Sequence, residues 1–398
     1  MARYQYGGQA LIEGVLMRGR NALAVALRHP DGSIVWASER LDLGLRARKA
    51  LKMPFLRGLV LLYDTLVTGT RWLVRSATLQ ALAEEDGGTP TSGAGATSGT
   101  GAGTTSGLST IIGGVVAAAA AVLTGPALCA AAGDGDGDRD GGGQPQAPAA
   151  YTDPDAPAPA PAPAPNAEQG MGKGYTVAVG GMLLVSLVIG IGVFFLVPLA
   201  LAQATVGRVD QGFGLQLSEG VIRVALFIGY LLLMSRAGDV RRTFQYHGAE
   251  HKSIHAFENG DPLTVEATRK YPTAHPRCGT EFLVVVLIVS ILAFSFLPRL
   301  SPIGLIASRV LLVPLIAAVS YEILQLGARH RSHAIVRWLW SPGIWVQAIT
   351  TKQPTDDMIE VALVSLGRAL SADGVEIPAG SSDLPSRPLD GSAPAIAS

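Results

Sequence analysis

Three histidines recur at every fourth residue in one short stretch of this chain. They are His247, His251 and His255, within the text Tyr-His-Gly-Ala-Glu-His-Lys-Ser-Ile-His. A spacing of four places their rings on one face of a helix. Neutral imidazoles are zinc ligands, and two histidines on successive turns can hold one ion. The spacing therefore predicts a helical metal site that binds a divalent metal, most simply zinc.

A glutamate completes this motif and indicates a reaction. Glu250 lies three residues after His247 and directly before His251, which gives the order His-x-x-Glu-His of the inverzincin peptidases. Zinc lowers the pKa of water to about 7, and a nearby carboxylate can then accept its proton. The motif predicts metal-assisted hydrolysis of a peptide or lipid-like substrate, with Glu250 as catalytic base or as a support for the ligands.

Three further residues compete for the remaining metal positions. His275 and Cys278 stand just before an apolar run, and Glu322 lies near the inner end of a later one. A carboxylate inside a membrane is costly and indicates a functional site by default. The alternatives are a buried structural thiol at Cys278, a helix-to-helix hydrogen bond at Glu322, and histidines that bind a structural metal or lie at the lipid headgroups.

Long apolar runs surround these candidates and predict a mainly α-helical polytopic membrane protein. Charged residues make up only 16% of the chain, against about 25% in soluble domains. The transmembrane domain 175–326 contains four candidate spans: 175–202, 221–235, 282–297 and 303–326. Arg223 and Arg309, near the outer ends of their spans, are expected to extend toward the headgroups.

Basic residues set the expected orientation in the cytoplasmic membrane. They cluster in the His-containing loop 236–279 and after the last span, whereas the connections 203–218 and 298–302 hold one arginine each. The positive-inside rule places that loop and both termini in the cytoplasm. The formal net charge is zero, which argues against a nucleic-acid partner bound by bulk electrostatics. The expected partners are the lipid bilayer and another membrane protein.

The first 50 residues predict a small cytoplasmic β-containing module. Apolar residues 21–28 and 33–38 flank a Pro-Asp-Gly turn, which is typical of a β-hairpin. The preceding glycine-rich segment 7–19 indicates a close approach of its backbone to another part of the protein. Its two charges, Glu13 and Arg18, either complete a site or pair with each other, and pairing is favoured.

The remaining segments divide by composition. Residues 54–80 predict an amphipathic or interfacial helix, because the polar positions 57, 64 and 71 share one face, with a membrane-spanning helix as the alternative. A low-complexity linker covers 86–170 and contains an Ala-rich segment, 108–132. This segment is long enough to span the membrane, but alanine is only weakly hydrophobic, so its composition favours neither a span nor a linker. Residues 327–370 predict a cytoplasmic interfacial segment that contains an amphipathic helix, and 371–398 a disordered tail.

Seven short motifs together resemble the bacterial YqhQ family of multi-pass membrane proteins, which are often labelled predicted metal-dependent enzymes. They occur in order along most of the chain: Gly7–Arg18, Pro54–Gly58, Tyr246–Lys252, Leu263–Glu266, His275–Thr280, Ser320–Glu322 and Pro342–Gln347. The resemblance implies a cytoplasmic-membrane protein with about four spans. It implies no particular reaction, and it leaves the insertion 86–170 unassigned.

Two functions follow from these observations. The first is a membrane-bound metal-dependent hydrolase with its site at the cytoplasmic face. The second is a non-enzymatic membrane scaffold or assembly factor in which the histidines hold a structural metal. A transporter is disfavoured, since the spans carry few polar residues at mid-membrane and show no inverted repeat of broken helices.

Overall fold

The chain is mostly helical and carries a β-sheet built largely from its N-terminal residues. This architecture comes from a computed structural model. The structure describes residues 6–41, 53–85, 189–190, 192–206, 213–275, 278–297, 300–330 and 333–389. The predicted linker 86–170, including the Ala-rich segment 108–132, lies outside the described residues.

Four N-terminal strands and one C-terminal strand form a single sheet in the order β1-β2-β3-β4-β5. Their bounds are Gly7–Leu11, Gly14–Arg18, Ala22–Arg28, Ile34–Arg40 and Ser386–Pro388. The first four strands pair antiparallel, with Ala22 opposite Arg40 and Arg28 opposite Ile34. The predicted hairpin is therefore confirmed, and the glycine-rich segment before it forms a second hairpin.

Helices cover both faces of this sheet. Side chains alternate between the faces along a strand, so neighbouring residues of β3 enter different cores: Ala24 and Ala26 face one, and Leu23, Val25 and Leu27 the other. Burial on both faces explains why β3 reads as a continuous apolar run rather than an alternating one.

Nine α-helices follow the first four strands in the described residues. Their bounds are α1 Leu56–Glu85, α2 Val197–Thr205, α3 Phe213–Met234, α4 Gly238–Glu258, α5 Val265–Arg269, α6 Thr280–Ser295, α7 Pro302–Arg329, α8 Ala334–Thr350 and α9 Asp356–Ala372. A π-helical turn, Gly192–Leu196, leads directly into α2.

Distant parts of the chain share one core on the sheet. Helices α4 and α9 both pack on the strands, and α9 contributes the buried side chains Met358, Val361 and Leu366 to that core. The sequence predicted a separate N-terminal module. The structure instead places the N-terminal strands in one core with α4 and α9. The predicted disorder is also wrong for residues up to 389, because β5 pairs parallel to β4.

Helix α1 joins the sheet to the apolar helices. Trp72 and Leu73 fill the second core of the sheet, and Leu61 packs with Tyr321 and Leu324 of α7. The predicted polar face is paired with protein groups: Arg57 with Glu322, Asp64 with Arg18 and Arg71 with Glu39.

Two predicted roles for charged residues are wrong. Glu13 and Arg18 do not pair with each other: Glu13 binds Arg242 and accepts a hydrogen bond from the Tyr246 hydroxyl at 3.1 Å, while Arg18 binds Asp64 at 2.5 Å. Arg223 does not extend to the headgroups either. It pairs with Glu219 one helical turn earlier, and both side chains are buried.

One helix among the described residues is long and apolar enough to cross a membrane. It is α3, which has 22 residues, and only 22% of its most apolar 18-residue window is buried. Shorter apolar helical stretches occupy 192–205, 280–295 and 311–327. Of the predicted span 175–202, residues 175–188 lie outside the described residues. Four spans are therefore not established by helix length and composition.

Candidate metal centre

Helix α4 buries an unusual number of polar side chains. His247, Glu250 and His251 are each 1% exposed or less, on a helix packed against strand β1 and helix α9. Charged and polar residues rarely occupy such positions unless they are paired or bind an ion. Asp239 in the first turn complements the helix dipole. The polar core of α4 is thus the part of the fold that requires a chemical explanation.

Side chains of α4 and α8 hold the segment 269–275 against the site. They do so through its backbone: Lys252 donates to the carbonyls of Arg269 and Tyr271, His251 contacts the Thr273 carbonyl, His255 contacts the Ala274 carbonyl, and Gln347 binds both the N–H and the carbonyl of His275. These bonds fix the backbone that leads to Cys278.

Two backbone carbonyls set the tautomers of the ligand histidines. His247 Nδ1 lies 3.1 Å from the Thr350 carbonyl oxygen, and His251 Nδ1 lies 2.5 Å from the Thr273 carbonyl oxygen. A carbonyl can only accept, so each Nδ1 carries the proton and each lone pair is on Nε2. Backbone carbonyls orient metal-ligating histidines in the same way.

Cys278 brings a thiol to the same point. Its Sγ lies 3.2 Å from His247 Nε2, and one ligand atom each of His247, His251 and Cys278 lie within 4.8 Å of one another. Ordinary zinc bond lengths with tetrahedral angles separate ligand atoms by about 3.3–3.6 Å. His251 Nε2 is buried and has no hydrogen-bond partner among the described residues. The three residues therefore form a group that could hold a metal ion, with donor types that suit zinc.

Burial sets the protonation states of these ligands. It lowers the pKa of His247 to about 4 and the pKa of His251 well below its usual value, so both rings are neutral near pH 7. Burial also raises the pKa of the Cys278 thiol, against hydrogen bonds from Thr280 that lower it. Neutral imidazoles are the form that binds a metal, while the thiol must release its proton when the ion enters.

Glu250 lies beside these donors but outside the group of three. Its Oε1 accepts a hydrogen bond of 2.8 Å from the backbone N–H of Gly8, and its Oε2 is 3.9 Å from His247 Nε2. Oε2 is buried without a hydrogen-bond partner in the described part of the chain. Burial raises the pKa of Glu250 to about 8. A cation at the neighbouring donors would favour the ionised carboxylate.

The close approach predicted for the glycine-rich segment occurs at Gly8 and meets Glu250. A Cβ atom at this position would lie 2.6 Å from the Leu16 carbonyl oxygen and 2.8 Å from Glu250 Cγ. The pairing of β1 with β2 fixes the Leu16 carbonyl, and the site fixes the Glu250 side chain. Gly8 therefore lets β1 reach the carboxylate with its backbone N–H.

We expect Gly8→Ala to lower the free energy of unfolding by about 1–3 kcal/mol, the usual cost of overpacking. Denaturant titration of the purified protein, followed by tryptophan fluorescence, measures this effect. Gly238→Ala is the matched control, because a Cβ there would meet nothing within 4 Å. Equal stability of the two variants would show that the Gly8–Glu250 approach is not tight.

The structure separates the other predicted ligands from this centre. His275 joins a second group with His255 and Glu258. Glu322 belongs to neither group: it accepts hydrogen bonds from the Arg57 guanidinium and from the Phe55 N–H. The prediction that Glu322 is a metal ligand is therefore corrected, because Arg57 of α1 neutralises it.

Four residues of the site were not predicted from side-chain chemistry. Gly8 and the carbonyls of Thr273 and Thr350 act through the backbone, which carries no residue-type signal. Gln347 acts through its side-chain amide, which makes two hydrogen bonds of 3.0 Å with the backbone of His275. Gly8 and Gln347 do occur in the motifs of the family resemblance, and this is the signal that could have identified them.

Comparison with known proteins places the chain in a family. Residues 53–372 match the family "Protein of unknown function (DUF1385)". "Uncharacterized protein YqhQ" of Bacillus subtilis (strain 168) is 28% identical over 371 residues, which is 93% of each chain. No solved structure matches. Neither comparison names a reaction, so the metal-dependent activity predicted from the His-x-x-Glu-His motif stays a prediction. The resemblance itself is confirmed, and the chain belongs to the DUF1385, YqhQ-like family.

Proposed function

We propose that this protein is a multi-pass protein of the cytoplasmic membrane and a metal-dependent hydrolase. His247, His251 and Cys278 hold one divalent metal ion, zinc, and Glu250 is the catalytic base. One observation carries the proposal. Two imidazole lone pairs and a thiol meet at one buried point, and beside them lies a Glu250 oxygen that has no hydrogen-bond partner among the described residues.

The number of ligands supports a catalytic rather than a filled site. Catalytic zinc keeps three protein ligands and one open position, and sets that mix histidine and cysteine are known. When bound, zinc supplies Lewis acidity and lowers the pKa of water. Gly8 holds Oε1 of Glu250, which directs Oε2 toward the ligand side to accept a proton. The substrate class is a peptide or lipid-like ester or amide.

Exposed apolar side chains support the multi-pass topology. Large apolar side chains on α7 and α8 are at least 70% exposed: Ile303 and Leu311 on α7, and Ile335, Trp338 and Trp345 on α8. Phe296, directly after α6, is equally exposed. Large exposed apolar patches are rare on monomeric soluble proteins and mark contacts with a partner or a membrane. Together with α3 these helices suit a lipid bilayer, and the basic residues of α4 and its flanks favour the cytoplasmic side.

Metal analysis of the full-length, detergent-purified protein tests the proposal. We expect about one zinc per chain in the wild type and none in His247→Ala/His251→Ala, with the helical circular dichroism retained. A variant of His29, which lies in the β3–β4 turn, serves as the control. Absence of metal from the wild type, even after incubation with zinc, would contradict the proposal.

A structural metal in a membrane scaffold or assembly factor is the second candidate. The observation that favours it is burial, because Cys278 and both histidines are at most 1% exposed. Zinc-loaded wild type and Glu250→Gln, assayed on fluorogenic peptides and on lipid esters in vesicles, separate the two. A hydrolase loses turnover in Glu250→Gln while keeping its zinc. A scaffold shows no turnover in either protein, and it binds its membrane-protein partner with or without Glu250.

A further inference from the structure

A second group of potential ligands lies next to the buried centre. One donor atom each of His255, Glu258 and His275 lie within 4.8 Å of one another. His255 and Glu258 follow on the same α4 face, one and two turns beyond His251. Unlike the first group, this one is partly open: His255 and Glu258 are half-buried, and only His275 is fully buried.

The second group is held in place by the surrounding structure. His255 Nε2 lies 2.9 Å from the Ala274 carbonyl oxygen, which assigns the proton to Nε2 and the lone pair to Nδ1. The His255 ring also stacks on Tyr271, with centroids 5.9 Å apart. Gln347 fixes the backbone of His275 on both sides. Such supports are typical of histidines that ligate a metal.

The two groups form one continuous row of imidazoles. Ring centroids are 4.4 Å apart for His247 and His251, 5.5 Å for His251 and His275, and 4.7 Å for His255 and His275. Burial decreases along this row, from the closed centre to the half-buried end at His255. A metal ion thus has a set of donors near the protein surface directly beside the closed set.

We propose that His255, Glu258 and His275 form a second divalent-cation site, so that the chain binds two metal ions. Two nitrogen donors and one carboxylate oxygen suit a first-row divalent ion such as cobalt, zinc or manganese. The carboxylate oxygen of Glu258 lies 3.4 Å from His275 Nε2, so a bound ion would replace this contact with bonds to both groups. The two groups share no ligand, so substitutions in one leave the donors of the other in place.

Titration of the metal-free, full-length protein with cobalt(II) tests this proposal. Cobalt bound to a thiolate shows a sulfur-to-metal charge-transfer absorption, whereas cobalt bound only to nitrogen and oxygen shows visible bands alone. We expect about two equivalents in the wild type, of which one adds charge-transfer absorption. Glu258→Gln and His255→Ala should each lower the affinity for the cobalt ion at the second site at least about tenfold. Neither substitution should change the charge-transfer absorption of the ion bound to Cys278.

The outcomes distinguish this site from the buried one. His29→Ala, the control histidine in the β3–β4 turn, should keep both equivalents. Binding of a single equivalent with charge-transfer absorption, or two equivalents that persist in Glu258→Gln, would overturn the second site. The wild type could instead show visible bands without any charge-transfer absorption. If Glu258→Gln removes those bands, the result would support the second site and contradict the buried zinc site.

Discussion

Replacing Cys278 with serine is expected to weaken zinc binding at least about 100-fold and to abolish the thiolate-to-cobalt absorption. A thiolate is the softest ligand of the buried group, and zinc holds it at about 2.3 Å. The serine hydroxyl keeps its proton near pH 7 and leaves the ion with two histidines. The Cys278 Sγ atom is the one placed to bind the ion, because it lies 3.2 Å from His247 Nε2. It also accepts a hydrogen bond of 3.2 Å from the Thr280 hydroxyl.

The chain has two cysteines, which provides a matched control. Cys129→Ser should leave zinc affinity unchanged, since Cys129 belongs to the predicted linker and the proposed ligand set is His247, His251 and Cys278. Zinc should also slow alkylation of the Cys278 thiol by iodoacetamide in the Cys129→Ser background. Equal zinc affinity of Cys278→Ser and Cys129→Ser would remove Cys278 from the ligand set.

Replacing Arg223 with leucine is expected to lower the free energy of unfolding by about 3–5 kcal/mol. Arg223 pairs with Glu219 on α3, and their side chains are 4% and 3% exposed. Arg223 also donates to the Phe194 carbonyl oxygen at 3.0 Å and lies over the Phe294 ring at 5.4 Å. Without the guanidinium, the Glu219 carboxylate loses its principal cation in an apolar surrounding.

A double variant separates the loss of the pair from the exposure of one charge. Glu219→Leu/Arg223→Leu should recover most of the stability lost in Arg223→Leu, because replacing a whole buried pair is often nearly neutral. Denaturant titration in detergent measures all variants, with the exposed Arg236→Leu as control. Additive losses in the double variant would contradict a direct coupling between the two residues.

Local periodicity was sufficient to predict several elements from the sequence. The four-residue spacing of His247, His251 and His255 places them on one face of α4, because helical geometry depends only on nearby residues. The Pro-Asp-Gly turn between two apolar runs predicted the β3–β4 hairpin for the same reason. The helix at 54–80 was also predicted, and it extends to Glu85.

The choice among candidate ligands depended on contacts between distant residues. Cys278 rather than Glu322 meets His247, because the His251 and Gln347 side chains position the segment before Cys278 while Arg57 of α1 binds Glu322. No local pattern records which of several carboxylates will find a cation from another helix.

The sequence by itself therefore determined the helix that carries the histidines, the motif around Glu250, the N-terminal hairpin and the family of the chain. The tertiary structure alone decided that Gly8 binds a carboxylate 242 residues away, and that α9 and β5 complete the N-terminal sheet. It also divided the histidines into two groups. The physical reason is that these features are set by backbone carbonyls, packing and charge pairing between segments far apart in the chain.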